Sequence, residues 1–275
     1  MGFVNPFMIY ADRCAKGTEV FMKNYKMIVA YDGTRYRGWQ IQKNTDATIQ
    51  GKLSMVLGNL AGHTVEVIGS GRTDAGVHAL GQTANFHLEE HFTREEIWEY
   101  LNHYLPEDIV ITKIDEVDNR FHSRYNAVSK TYSYRIRTSP IPDVFSRRFC
   151  YQYGKPLEEE RMKEAAGYLL GTHDFASFCG NKHMKKSTVR TIYKIEFLKK
   201  EGELTISYTG NGFLQGMVRI LTGTLIEVGR GDRTPESMKT LLEAKCRELA
   251  GYTAPPQGLR LEQVEYEAEA VKAGS

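Results

Sequence analysis

The sequence is poor in cysteine, with only Cys14, Cys150, Cys179 and Cys246 scattered over 275 residues and no CxxC pair. That spacing excludes a disulfide framework, argues against a structural zinc site, and fits a reducing cytoplasm. No apolar run approaches the roughly 18 residues that a membrane span needs, so no membrane partner is implied. The opening MGFVNPFMIYADRCAKGTEVF breaks its apolar pieces with Asp12, Arg13, Lys16 and Glu19, which is wrong for a secretory signal. Charge of one sign is lacking too: 36 Lys and Arg against 34 Asp and Glu leave a formal +2. That balance does not by itself announce a nucleic-acid partner, although charge placement can still build a basic face. No Pro/Gly-rich stretch marks a sharp domain boundary, and only the polar tail after Glu267 resembles low complexity.

What is present reads as a globular chain long enough for one large domain or two modest ones. YKMIVAYDG alternates and stops at Asp-Gly, as a strand entering a turn does. TIQGKLSMVLGNLAG spaces Ile49, Leu53, Val56, Leu57 and Leu60 as a helix, with Thr48 as its cap and Gly62 as its end. HTVEVIGS and QTANFHL read as strands, TREEIWEYLNHYL as a helix closed by Pro106, and DIVITKIDEV as a strand. A second round follows: strands in VSKTYSYRIRT and RRFCYQYG, a helix in LEEERMKEAAGYLLG, and a hairpin across Glu201-Gly202. FLQGMVRILTGTLIEVGRG and TPESMKTLLEAK read as helices, and APPQGLRLEQVEYE as a last strand.

Two βαββαβ-like rounds predict an α+β fold of two ferredoxin-like (split βαβ) halves. The halves are expected to join into one extended, mostly antiparallel sheet, with helices on one side and a central cleft. The expected division is an N-terminal extension over residues 1–22, poorly ordered, then halves over 23–125 and 126–267, and a polar tail over 268–275. The crossover falls in NRFHSRYNAVSKTYSY, near Tyr125.

One stretch, GSGRTDAGVHALGQTANFH from Gly69 to His87, sets Asp74 in a glycine-dense turn. Glycine is costly to order, so such a run implies an unusual backbone path or a close approach. The plain alternative is a hairpin loop with a solvated aspartate. A phosphate-cradling loop is excluded, because it would need a strand-turn-helix context and a Lys-Ser/Thr ending.

GRTDAGVHA resembles the signature of the tRNA pseudouridine synthase A family (TruA). The resemblance continues through YDGTRYRGWQIQ, SKTYSYRI, NGFLQGMVRILTGTLIEVGRG and APPQGLRL, in order, from about Tyr25 to about Glu265. Five ordered strings are far more specific than one. The resemblance implies isomerisation of uridine to pseudouridine at positions 38, 39 and 40 of the tRNA anticodon stem-loop. It also implies a homodimer, no cofactor, no metal and no DNA partner. The departures visible here are Gln215-Gly216 before the MVR string and the added N-terminus.

That reaction breaks the uracil N1–C1′ bond, turns the base in place and reattaches it through C5. It needs a carboxylate acting covalently or stabilising an oxocarbenium-like centre, with attack at C1′ or at C6 both compatible. By resemblance the carboxylate is Asp74, which is also the candidate to handle the C5 proton. Burial under a base would raise its pKa, so a fixed cation is expected beside it. The resemblance assigns that cation to Arg219, whose neighbours Met217, Val218, Ile220 and Leu221 are all apolar.

Tyr132 resembles the family's active-site aromatic, able to stack on the uracil, although sheet tyrosines are also ordinary core residues. Tyr134 shares its face in an extended strand. Arg72 resembles an arginine that contacts the RNA backbone and fills the gap left by a flipped base. Leu259 reads equally as a pocket wall and as a core leucine.

Further RNA-binding candidates are Arg35 and Arg37 in the first turn, and Lys182, Lys185 and Lys186, with Arg190, in NKHMKKSTVR. His87 and His91 in HLEEH have zinc-like spacing but no evident third ligand. Two rival readings are a noncatalytic RNA-binding protein on the same scaffold and a nucleoside hydrolase that releases free uracil.

Overall fold

The structure, a computed structural model, describes residues 21–181 and 183–267. Most of the expected N-terminal extension, the whole polar tail, and Lys182 lie outside the described residues.

The first half runs β1 (Met22–Tyr31), α1 (Ile49–Ala61), β2 (Ile68–Gly69), β3 (His78–Glu89), α2 (Arg94–Tyr104) and β4 (Ile109–Val117). Local chemistry sets the ends of its helices. Thr48 accepts from the Gly51 amide at the start of α1, and Gly62 closes that helix in the left-handed region at φ 78°. Thr93 and Glu96 form a reciprocal capping box on α2. Ile49, Leu53 and Leu57 from α1 share the core with Met27, Val29, Phe86 and Leu88 from the sheet.

The second half runs β5 (Ala127–Arg137), β6 (Tyr151–Gln152), α3 (Glu159–Gly167), β7 (Gly171–Asp174), β8 (Val189–Lys200) and β9 (Glu203–Gly210). It continues with α4 (Met217–Gly229), α5 (Ser237–Ala244) and β10 (Leu259–Tyr266). Gly202 turns the β8–β9 hairpin at φ 69°.

Several elements differ from the sequence reading for identifiable reasons. HTVEVIGS buries Val65 and Val67 in alternation, yet pairs only at Ile68 and Gly69, because the Gln50 side chain takes the Val67 carbonyl at 2.8 Å. RRFCYQYG pairs only through Tyr151 and Gln152, after which the Tyr153 and Gly154 amides both turn onto the Arg137 carbonyl. The helix expected from Phe213 begins at Met217, since Gly216 is left-handed at φ 68° and stops extension toward the N-terminus. Strand β7, GTHD, carries no apolar alternation that would have announced it.

The strands form one ten-stranded sheet in the order β4-β1-β3-β10-β5-β9-β8-β7, with β2 beside β3 and β6 beside β5. The α+β expectation of two halves sharing one mostly antiparallel sheet is met. The halves meet where β10 lies parallel to β3, through Arg260 opposite His78 and Leu261 opposite Ala79. β10 then runs antiparallel to β5, so the join is made by the last strand described.

Gly81 permits the join, because a Cβ there would stand 2.4 Å from the Glu262 carbonyl oxygen. Gly81→Ala is therefore expected to destabilise the protein by about 1–3 kcal/mol through overpacking. A urea midpoint equal to the parent's would show that the strands can yield there.

Candidate active site

The turn between β2 and β3 carries Asp74 and is held from beneath by the segment after β1. The Thr73 hydroxyl meets the Tyr31 hydroxyl at 2.9 Å, the Trp39 amide donates to the Thr73 carbonyl at 3.1 Å, and the Gly76 amide donates to the Tyr36 carbonyl at 3.3 Å. Gly38, at φ 100°, lets the two backbones touch: a Cβ there would lie 2.7 Å from the Thr73 carbonyl oxygen. The strings YDGTRYRGWQIQ and GRTDAGVHA, far apart in sequence, are thus two sides of one packed corner.

Opposite this corner stands α4. Its Arg219 donates from Nη1 to Asp74 Oδ2 at 3.0 Å, across a sequence separation of 145. The Arg219 Nε donates to the Ala254 carbonyl at 2.8 Å, and the Ala254 amide returns a bond to the Arg219 carbonyl at 3.1 Å. The guanidinium is thereby aimed rather than free. The carboxylate is 29% exposed and the guanidinium 17%, so the pair is partly desolvated but reachable. Among the described residues Asp74 Oδ1 accepts no hydrogen bond.

Tyr132 on β5 is buried, and Phe213 sits edge-on to its ring at 5.3 Å between centroids. Burial first, then the nearby Tyr31 hydroxyl and the Asp74 carboxylate, push its ionisation well above the ordinary tyrosine range. Asp74, Arg219 and Tyr132 are therefore brought together. Tyr134 is fully buried and donates to the Pro255 carbonyl at 2.8 Å, which anchors the loop whose Ala254 receives Arg219. Leu259 is buried opposite Tyr134 in the β10–β5 ladder.

The remaining candidates are more dispersed. Arg72 is exposed two residues from Asp74 and donates from Nε to Gln40 Oε1 at 3.1 Å. Arg35 is exposed and already engaged, with Nε and Nη2 on Asp108 Oδ2 at 3.0 and 2.7 Å. Arg37, Lys185 and Lys186 are exposed. Lys182 lies outside the described residues, so its place relative to the corner is not part of this geometry.

Sequence reading missed three contributors. The Ala254 carbonyl gave no side-chain signal at all. Phe213 falls within FLQGMVRILTGTLIEVGRG, which reads as helix from its first residue, whereas the helix begins at Met217. Lys130, within SKTYSYRI, was passed over beside its tyrosines; its ammonium donates to the Ser70 carbonyl at 2.6 Å, just upstream of Arg72.

A partly shielded carboxylate with a fixed guanidinium, beside a neutral phenol, is suited to stabilising or attacking an electron-poor sugar or base carbon. A family model described as tRNA pseudouridine synthase matches residues 27–126 and 165–267. The chain is 48% identical to the tRNA pseudouridine synthase A of Bacillus sp. (strain KSM-64) over 245 residues, covering 89% of this chain and 100% of the relative. It is 45% identical, with the same coverage, to tRNA pseudouridine synthase A 1 of Clostridium tetani (strain Massachusetts / E88). A solved Cbf5-Nop10-Gar1 complex is similar at 13% identity with a TM-score of 0.37, over 90% of this chain and 52% of that one. The chain belongs to the tRNA pseudouridine synthase A (TruA) family. It is accordingly an isomerase that makes pseudouridine.

The raised ionisation of Tyr132 has a measurable consequence. A tyrosine normally titrates near pH 10, whereas Tyr132 is held neutral through that range. The alkaline limb of the pH–rate profile up to about pH 10 is therefore expected to be the same in Tyr132→Phe as in the parent, whatever happens to the maximal rate. A limb present in the parent and lost in the variant would overturn this.

Proposed function

We propose that this enzyme isomerises uridines 38, 39 and 40 of the tRNA anticodon stem-loop, with Asp74 as the catalytic carboxylate and no cofactor. The observation that carries the reading is the Asp74–Arg219 pair at 3.0 Å, which joins the turn of one half to a helix of the other. The resemblance and the named relatives supply the substrate class; the pair supplies the chemistry.

In this reading a uridine is swung out of the stem-loop and its uracil lies over Asp74. Extraction costs a few kcal/mol, part of which Arg72 offsets by filling the gap and contacting a phosphate. The carboxylate bonds either to C6 of the ring before N1–C1′ breaks or to the electron-poor C1′ as it breaks, and the N1–C1′ bonding pair leaves on the uracil. The base turns, C5 bonds to C1′, and the bond to the carboxylate breaks. The C5 proton then leaves to Asp74 and N1 gains one, so that no atom is lost from the nucleotide. Arg219 keeps opposite charge beside the carboxylate throughout, through the fork that only arginine offers. Tyr132 holds the ring from one side. Arg37, Lys185, Lys186 and Lys182 serve as phosphate contacts that position the RNA without reading its sequence, and Arg35 joins them by exchanging Asp108 for phosphate.

The enzyme works as a cytoplasmic homodimer in this proposal. No helix among the described residues is long and apolar enough to cross a membrane.

The test follows tritium release from tRNA carrying [5-³H]uridine, since C5 must exchange its hydrogen for the bond to C1′. Asp74→Asn is expected to lower the rate by at least about 10³, near 4 kcal/mol of barrier, while binding tRNA as the parent does. Turnover within tenfold of the parent would remove Asp74 from its role. Liberation of free uracil would instead identify a glycosidic hydrolase. Arg219→Lys keeps the charge but cannot satisfy both Asp74 and Ala254. A loss of about 10–100-fold in kcat with little change in KM is expected, at 1.36 kcal/mol per decade.

A further inference from the structure

Among the described residues, several arginines have carboxylate partners. Arg35 meets Asp108, Arg135 meets Glu203, and Arg233 meets Glu227. Three cations grouped near the Asp74 corner differ from these. Among the described residues, Lys130, Arg124 and Arg190 pair with no carboxylate.

We propose that Lys130, flanked by Arg124 and Arg190, forms a phosphate site beside the catalytic turn that receives the backbone phosphodiester next to the reacting uridine. This deepens the function proposed above and rests on it for the identity of the substrate.

Three elements carry the site: the crossover with Arg124, β5 with Lys130 and β8 with Arg190. Gly210 of β9 pairs with Lys130 on one side and with Ile192, two residues after Arg190, on the other. Arg124 follows Ser123, whose hydroxyl donates to the carbonyl of Ile68, two residues before Ser70. Lys130 precedes Tyr132 by two residues and so points from the same face of β5. It lies opposite Gly210 on β9 and opposite Val264 on β10. Its ammonium spends one hydrogen on the Ser70 carbonyl at 2.6 Å, leaving two for a ligand. A Cβ on Gly71 would stand 3.2 Å from that ammonium, so the glycine between Ser70 and Arg72 leaves the approach clear. Arg190 turns Nη1 to the carbonyls of Ser187 and Val189, at 2.9 and 2.6 Å, which holds its guanidinium without neutralising it.

The electrostatics agree with the geometry. Lys130 is pushed down to about 8, first by burial, then by the positive charges of Arg124 and Arg190. Like charges gathered in a partly desolvated place repel one another, and an arriving anion relieves both the repulsion and the desolvation. The anion most certain to reach this corner is the phosphodiester of the RNA whose base enters it. A compact ammonium binds phosphate as a point charge, which suits a contact that positions the strand.

The experiment measures affinity of the full chain for an unmodified tRNA transcript across a KCl series. Lys130→Gln and Arg190→Gln are each expected to weaken binding about tenfold and to shallow the slope of log K against log salt by about 0.7–0.9. Lys130→Arg should keep the parent's slope. A second tRNA carries one neutral methylphosphonate beside the target uridine. The parent should lose about tenfold on it, whereas Lys130→Gln should lose little more.

Parent-like slopes in both glutamine variants, or an equal added loss on the neutral linkage, would overturn the site. Should Lys130→Gln not fold, Arg190→Gln carries both measurements, because its guanidinium bonds only neighbouring carbonyls. Tritium release by the parent on the same tRNA separates the two readings. If the parent releases none, the proposed function fails; if it releases tritium and the slopes stay unchanged, only the phosphate site fails.

Discussion

An arginine in a buried helix is tolerable only when its charge has a fixed partner, and in this protein that partner comes from the other half of the chain. Eleven of the thirteen residues of α4 are buried, and the exceptions are Arg219 and Glu227. Each of the two is answered by an opposite charge, Asp74 for the first and Arg233 for the second. Removing one member of such a pair leaves the other charge without its partner in a partly desolvated place, which is unfavourable. The Asp74–Arg219 contact therefore does two things at once. It holds a carboxylate in a defined electrostatic setting, and it ties the turn before β3 to the helix that fills the second half.

The surroundings of that contact are arranged in successive layers of support. Arg219 is aimed by the Ala254 carbonyl, and the loop carrying Ala254 is held by the Tyr134 hydroxyl on Pro255. Asp74 is aimed by a turn clasped to the segment after β1, through Thr73 and Gly76. Immediately after the turn, His78 and Ala79 enter the parallel pairing with β10. The acid and the cation thus sit where the two halves are stitched together, so their spacing is set by the same contacts that set the sheet.

Much of the local structure was legible from the residues themselves. Thr48, Gly62 and the Glu201-Gly202 hairpin are short-range devices whose chemistry lies within a few positions. The apolar company of Arg219 also pointed to a buried partner before any coordinates. Part of what could not be read depends on strand pairings between residues more than a hundred apart. The insertion of β10 between β3 and β5 has no signature in its own alternation. The Ala254 carbonyl and the Ser70 carbonyl are backbone groups, invisible to any reading of side-chain types. Lys130 was hidden by its neighbours, since a lysine in an alternating strand is ordinarily a solvated one. Two predicted strands shrank because pattern reports which side chains are buried, whereas a ladder also requires free backbone edges.

The central placement of β10 also orders events in time. Residues 259–266 fill the seam of the sheet, so a growing polypeptide cannot close the seam until more than 250 positions have left the ribosome. The first half can collapse early around its own helices, but its acid then waits, facing a guanidinium that has not yet been positioned. Long-range closure of this kind is slow relative to hairpin formation, and it leaves the competent groove as the last feature to appear. A nascent chain would consequently pass through a period in which it is largely folded yet chemically inert.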